Sequence, residues 1–189
     1  MGITLGFCLA WGEWEMTVHK IVTYGNAALR RKAKAVKVVD DGIRALAKEM
    51  LKVMYAENGL GLAAEQVGRD EAICVIDVPA EQAEGALMPM VLINPEITVL
   101  EGEQVGQEGC LSFPGVFINV KRAEKATVCF LNLEGRQETV ATRGLVARAV
   151  QHELDHLNGV LLVDHMTAVQ KVANAGKLKR LRKEGRAEG

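Results

Sequence analysis

The sequence predicts a single α+β domain in which antiparallel strands pack around a buried helix, followed by a C-terminal helix. Three observations carry this reading. The chain has 189 residues and 20.5 kDa, which suits one domain. Helical patterns bracket a block of strand patterns instead of alternating with them. One helical pattern is apolar nearly all round, which a helix tolerates only when buried.

The elements follow in order. Asp40-Asp41 precede a stripe of Ile43, Leu46, Ala47, Met50 and Met54 at helical spacing. Gly59 is placed to stop that helix. Residues 72–78, 91–93, 97–100, 116–120, 126–131 and 138–141 read as strands, with Glu134-Gly135 as a hairpin turn. Residues 142–158 form the all-round apolar helix. Thr167, with Gln170 three residues on, resembles a capping box. It opens a last helix running to about Lys183, weakened by Gly176. There is no internal repeat.

Bulk properties exclude several classes. Hydrophobic content of 49% and charged content of 25% are those of an ordinary globule. A chain this size buries roughly 70% of its unfolded surface and needs no disulfide staple. The net charge of −1 argues against sequence-specific nucleic-acid binding by the protein as a whole. Residues 171–189, however, hold seven Lys or Arg and two Glu, a local +5 against about −6 elsewhere. The four cysteines, Cys8, Cys74, Cys110 and Cys129, are scattered, which favours a reducing, cytoplasmic setting. Cys74 and Cys129 sit in apolar runs and read as core thiols. No stretch approaches ~18 consecutive apolar residues, so no membrane span is expected. Residues 1–15 are apolar around Gly6–Trp11 and carry two glutamates without Lys or Arg, unlike a signal or transit peptide. They read as an extension preceding the domain of residues 16–189.

The most informative motif is His152-Glu153-Leu154-Asp155-His156. On a helix, His-Glu-x-x-His sets two imidazoles one turn apart on one face, with the glutamate within reach of a water beside a shared metal. A catalytic site usually takes a third protein ligand and leaves one position open. The long protease form continues to Gly-x-x-His, and Gly159 fits, but position 162 is Leu162. The downstream glutamates, Glu184 and Glu188, lie in the basic tail. His165 lies past the helix-stopping Gly159. The better ligand is upstream: Cys110 in Glu108-Gly109-Cys110-Leu111-Ser112, where glycine and serine suggest a turn. A thiolate with two imidazoles suits zinc and other divalent first-row metals. Leu145 and Ala149 precede His152 and Glu153 by about one and two turns and, with Leu60, could line an apolar slot. Asp155 reads as an ion-pair partner. Gly59-Leu60-Gly61-Leu62-Ala63-Ala64 matches a dinucleotide fingerprint, but a helix precedes it and a strand follows, the reverse of that motif's order. A metalloendopeptidase and a purely structural metal site remain the rival classes.

Gly59-Leu60-Gly61-Leu62-Ala63-Ala64-Glu65-Gln66, Glu108-Gly109-Cys110-Leu111-Ser112 and Gln151-His152-Glu153-Leu154-Asp155-His156 together resemble the three ordered motifs of the peptide deformylase family. The resemblance runs from about Val18 to about Gly185. It implies removal of the formyl group from the N-terminal formylmethionine of nascent peptides, with Cys110, His152 and His156 holding one divalent metal. Fe²⁺ is the implied metal in the cell, with Zn²⁺ or Ni²⁺ as substitutes. Glu153 would move the proton, while the Gln66 side chain and the Leu111 backbone N–H meet the developing oxyanion. The Gly61 backbone would bind the peptide, and Leu60, Leu145 and Ala149 would take the methionine side chain. Glu108 and Arg122 match an ion pair that braces the Cys110 loop. The basic C-terminal helix suggests docking on the ribosome. Two departures are that Gly25-Asn26 stands where the family often has Pro-Asp, and Glu65 where it often has Thr or Pro.

Overall fold

The computed structural model describes residues 20–187. The extension expected over residues 1–15 lies outside them. Asp40 opens α1 (Asp41–Ala56) by accepting the Ile43 N–H at 2.9 Å, and Leu46, Ala47, Met50 and Met54 form its buried stripe. The expected stop at Gly59 is made one residue earlier. Asn58 takes the left-handed conformation (φ 55°), and the Gly59 N–H closes back on the Met54 carbonyl at 2.8 Å.

The main sheet is antiparallel, in the order β1 (Gly61–Ala63), β2 (Ile73–Ile76), β3 (Met90–Glu101), β6 (Lys125–Leu131), β7 (Gln137–Arg143). A separate ribbon pairs β4 (Gln104–Glu108) with β5 (Ile118–Arg122). All four residues of β2 are buried because helices cover both faces of the sheet. Leu62, Ile73 and Val75 pack with the α1 stripe, whereas Ala63, Cys74 and Ile76 pack with Val146, Val150 and Leu154 of α2 (Gly144–Leu157). A third cluster joins Val116, Ile118 and Val120 to Leu161, Leu162 and Leu181, which seats the ribbon against the C-terminal segment. The α+β architecture around a buried metal-motif helix is therefore as expected, with α2 lying between the sheet and the ribbon.

Several boundaries differ from the sequence reading. The two strands expected at 91–93 and 97–100 are one strand, β3, whose register shifts between Ile93 and Glu96 absorb Asn94 and Pro95. Asn94 (φ 50°) clamps the Val36 backbone through both N–H and C=O at 2.8 Å. Strands β1 and β4 were not anticipated: β1 has only three residues, and β4 is polar with no apolar alternation. Residues 142 and 143 belong to β7, and α2 begins at Gly144, whose φ of 57° turns the chain from strand into helix. The capping box at Thr167 is present. The last helix is, however, split at Asn174 into α3 (Ala168–Ala173) and α4 (Ala175–Ala187), and α4 continues past Lys183. Cys74 is buried as expected, but Cys129 is only half-buried and accepts from Gln137 Nε2 at 2.9 Å.

Candidate active site

Three segments meet where α2 passes beneath β1 and the loop after β4. The α2 spacing holds the His152 and His156 rings with centroids 5.1 Å apart. The chain leaves β4 at Glu108 and turns over Cys110, with the Phe113 N–H bonded to the Cys110 carbonyl at 2.8 Å. This brings Cys110 Sγ to 3.2 Å from His156 Nε2. One donor atom from each of Cys110, His152 and His156 lies within 4.8 Å of the other two. A thiolate and two imidazoles at that separation can share one divalent ion.

Partners fix these side chains. Glu108 Oε2 lies 3.0 Å from His152 Nδ1, leaving Nε2 to face the cysteine side. Arg122 grips both oxygens of Glu108 at 3.0 Å through Nε and Nη2, so the expected ion pair is present, buried and bidentate. Burial alone would raise the Glu108 pKa, but its bonds to His152 and Arg122 outweigh that and hold the carboxyl well below the usual range. Asp155 accepts from Arg122 Nη1 at 2.5 Å, the ion-pair role expected of it. His165, set aside as a ligand, contacts Asp155 instead, at 2.7 Å.

Sequence reasoning missed Arg148. It is buried in α2 and reaches Glu108 Oε1 at 2.8 Å and the Val120 carbonyl at 3.1 Å, tying helix to ribbon. The available signal was a single cation on an otherwise apolar helix face. Ser112 was also passed over as more than a turn residue, yet it is fully buried and lies 3.3 Å from Gln66 Nε2.

Gln66 is oriented without ambiguity. Its Oε1 accepts the Ala63 N–H at 2.8 Å, which aims Nε2 at Ser112 Oγ and, at 3.5 Å, at Cys110 Sγ. The Gln66 and Ser112 carbonyls accept the N–H groups of Val22 and Tyr24 at 2.8 and 2.9 Å, so one extended segment stitches both motif loops together. A Cβ added at Gly61 would lie 2.8 Å from Glu153 Cδ, so any larger residue there would push the Glu153 carboxyl aside. Glu153 itself is 3% exposed, and its Oε2 has no partner among the described residues. Burial pushes its pKa up to about 7.

A cavity of about 510 Å³ opens onto this cluster. Leu60, Gly61, Gln66, Leu111, Leu145, Ala149, Cys110, His152 and Glu153 all line it, so nearly every residue singled out from the sequence converges there. His156 lies behind, 1% exposed, with its Nδ1 unpartnered among the described residues. A larger, shallower groove of about 1090 Å³ runs over α4 and Tyr24, holds none of the motif residues and is lined with Lys and Arg.

The cluster fits a cation on its own terms. Burial opposes a charged His152, yet its bonds to Cys110 and Glu108 outweigh burial and raise its pKa, so this pocket is organised around positive charge. Burial, then the charges of His152 and Arg122, keep His156 neutral and able to ligate.

Comparison with known proteins gives the same answer. The polypeptide deformylase profile matches residues 18–172. A peptide deformylase of Alkalilimnicola ehrlichii is 45% identical over 171 residues, covering 90% of this chain and 94% of its own length. The crystal structure of the Thermus thermophilus peptide deformylase superposes with a TM-score of 0.82 at 38% identity, over 89% of this chain and all of that one. A Synechococcus elongatus peptide deformylase solved with actinonin has a TM-score of 0.74 at 41% identity, over 87% and 86% of the two chains. With its three motifs gathered on one cavity and most of its length matched in sequence and in shape, this chain belongs to the polypeptide deformylase family.

Proposed function

We propose that this enzyme hydrolyses the formyl group from the N-terminal formylmethionine of newly synthesised proteins and releases formate. The observation that carries the reading is the Cys110–His152–His156 cluster, with the buried, unpartnered carboxyl of Glu153 on the same cavity. A divalent ion held by these three side chains would supply Lewis-acid polarisation and lower the pKa of the attacking water toward ~7. Fe²⁺ is the proposed ion in the cell, with Zn²⁺ or Ni²⁺ able to replace it; the soft thiolate with two imidazoles suits all three.

The chain's own groups do the rest. Glu153, poised between its two protonation states near neutrality, takes the proton of the attacking water at its carboxylate. The same carboxyl then gives that proton to the departing amine nitrogen as the C–N bond breaks. Gln66 Nε2, held by the Ala63 N–H on its other side, donates to the developing oxyanion, and the Leu111 N–H is its second donor. One such donor is worth about 2.7–4 kcal/mol. The Gly61 backbone aligns the peptide beside Glu153, and Leu60, Leu145 and Ala149 receive the methionine side chain. The low polarity of these walls keeps bulk water from competing with the single reacting one.

Residues 16–189 are proposed to be the working domain and residues 1–15 dispensable to it. Free Cys74, Cys110 and Cys129 suit a cytoplasmic setting, and no helix of the described residues is long and apolar enough to cross a membrane. Nascent formylated peptides are the substrate, and the basic face of α4 is proposed to hold the enzyme near the ribosome. Five cations, Lys179, Arg180, Arg182, Lys183 and Arg186, share its groove, while Lys177 is engaged with the Gly115 carbonyl at 2.7 Å. Formate release from formyl-Met-Ala, measured against metal content per chain, tests the proposal. A metal-loaded protein that releases no formate would refute it.

A further inference from the structure

His165 stands outside the three motifs, on the short turn that follows α2, with its side chain 28% exposed. It is nevertheless the outer end of an unbroken series of polar contacts. Its Nε2 lies 2.7 Å from Asp155 Oδ2, and that same oxygen takes Arg122 Nη1 at 2.5 Å. Arg122 uses its remaining edge, Nε and Nη2, on Glu108. Glu108 Oε2 ends the series at His152 Nδ1, 3.0 Å away. Side-chain exposure falls inward, to 25% at Asp155, 6% at Arg122 and 4% at Glu108.

Each link has two contacts that must be met together. The planar guanidinium cannot satisfy Asp155 and the Glu108 fork at once unless the Asp155 carboxylate is held in one orientation. The Arg122 bond alone leaves that carboxylate free to swing about its χ angles. A second donor on the same oxygen removes the freedom. We infer that His165 is a positioning residue for the metal centre: it locks Asp155, which sets Arg122, which through Glu108 fixes the ring of His152. This rests on the metal reading of Cys110, His152 and His156 given above.

The test uses the full-length enzyme loaded with Co²⁺, whose visible spectrum reports ligand geometry. His165→Leu removes the donor at similar volume, whereas His165→Gln keeps an amide N–H at the same reach. Direct partners of metal ligands are typically worth about 10–100-fold in affinity. His165 lies further out, so loss of Co²⁺ to a chelator should be roughly 3–10-fold faster in His165→Leu, with shifted ligand-field bands. His165→Gln should restore both. Spectra and chelation rates unchanged in His165→Leu would overturn the inference, as would equal defects in the Leu and Gln variants. If the Leu variant fails to fold, His165→Ser takes its place, judged by the same two readouts. Cys110→Ser separates this from the underlying reading. If that variant keeps the wild-type Co²⁺ spectrum, the metal site itself is misassigned; if it loses the thiolate band while His165→Leu is silent, only the role of His165 fails.

Discussion

Replacing Glu65 by Gln should make the protein more stable at alkaline pH. Glu65 is fully buried beside Gln66, and neither carboxyl oxygen has a partner among the described residues. Burial, with smaller contributions from Asp70 and Glu153, pushes its pKa from 4.5 to about 8. The folded chain therefore keeps a proton that the unfolded chain releases. Where the unfolded state binds fewer protons, stability falls as pH rises. The loss begins near the unfolded value, runs at about 1.4 kcal/mol per pH unit, and levels off above the folded value. Across that window it sums to about 3–5 kcal/mol, which is a large share of a domain's ~5–15 kcal/mol. Gln keeps the shape and carries no proton to lose.

Urea unfolding of the metal-loaded wild type and Glu65→Gln, at intervals from pH 5 to 9, measures this directly. Other groups with raised pKa values, among them Glu153, Cys74 and His152, are common to both proteins and largely cancel in the difference. The two curves should lie close together at pH 5 and diverge with rising pH, Gln above wild type, until about pH 8. Parallel curves over the whole range would refute the reasoning, because they would mean that Glu65 titrates alike in both states. Turnover near pH 7 should change little, because Gln mimics the protonated form already present there.

Other outcomes follow from the site and the termini. Cys110→Ser should lose most of its metal, and Glu153→Gln should keep metal and fold while formate release drops by about 10²–10⁴; full metal in the first, or activity within ~10-fold of wild type in the second, removes that residue from its role. An Fe²⁺ form should lose activity in air while Zn²⁺ and Ni²⁺ forms persist, since the Cys110 thiolate beside a redox-active iron is oxidisable; equal half-lives would argue against iron lability. Replacing Lys179, Arg182, Lys183 and Arg186 together by Gln, which leaves the buried Leu181 in place, should weaken low-salt co-sedimentation with ribosomes and spare formyl-Met-Ala turnover; unaltered co-sedimentation removes the docking role. A chain starting at Met16 should turn over substrate like the full chain, and because Trp11 and Trp14 are the only tryptophans, iodide quenching of the full chain reads that segment alone.

Much of the site was legible because its chemistry is local. His-Glu-x-x-His on a helix needs no tertiary knowledge to put two imidazoles on one face. Elimination of the downstream candidates pointed back to Cys110. What could not be read was whatever depends on two distant segments meeting. Strand β4 has no apolar alternation because its inward positions are Gln104, Gly106 and Glu108, which face Arg148: it reaches the Gln104 and Gly106 carbonyls at 3.4 Å and Glu108 Oε1 at 2.8 Å. Strand β1 is three residues of a glycine-rich run, and only its register with β2, Gly61 opposite Ile76, makes it a strand. The crowding at position 61 is likewise invisible until Glu153 arrives from residues more than ninety positions away.

The same distant meetings explain how so much charge is tolerated in so small a space. Arg122 and Arg148 are two buried cations, and Glu108 and Asp155 are the two anions that answer them, so this outer network balances. Inside it stand Cys110 and Glu153, two groups whose working forms are a thiolate and a carboxylate. One divalent ion held by Cys110, His152 and His156 would neutralise both. The ion is thus matched to the site by charge as well as by donor type. Removing one of these charges, as in Arg148→Met, should then speed loss of the metal to a chelator even though Arg148 touches no ligand, because it leaves Glu108 with one cation for two duties: holding the ribbon and orienting His152.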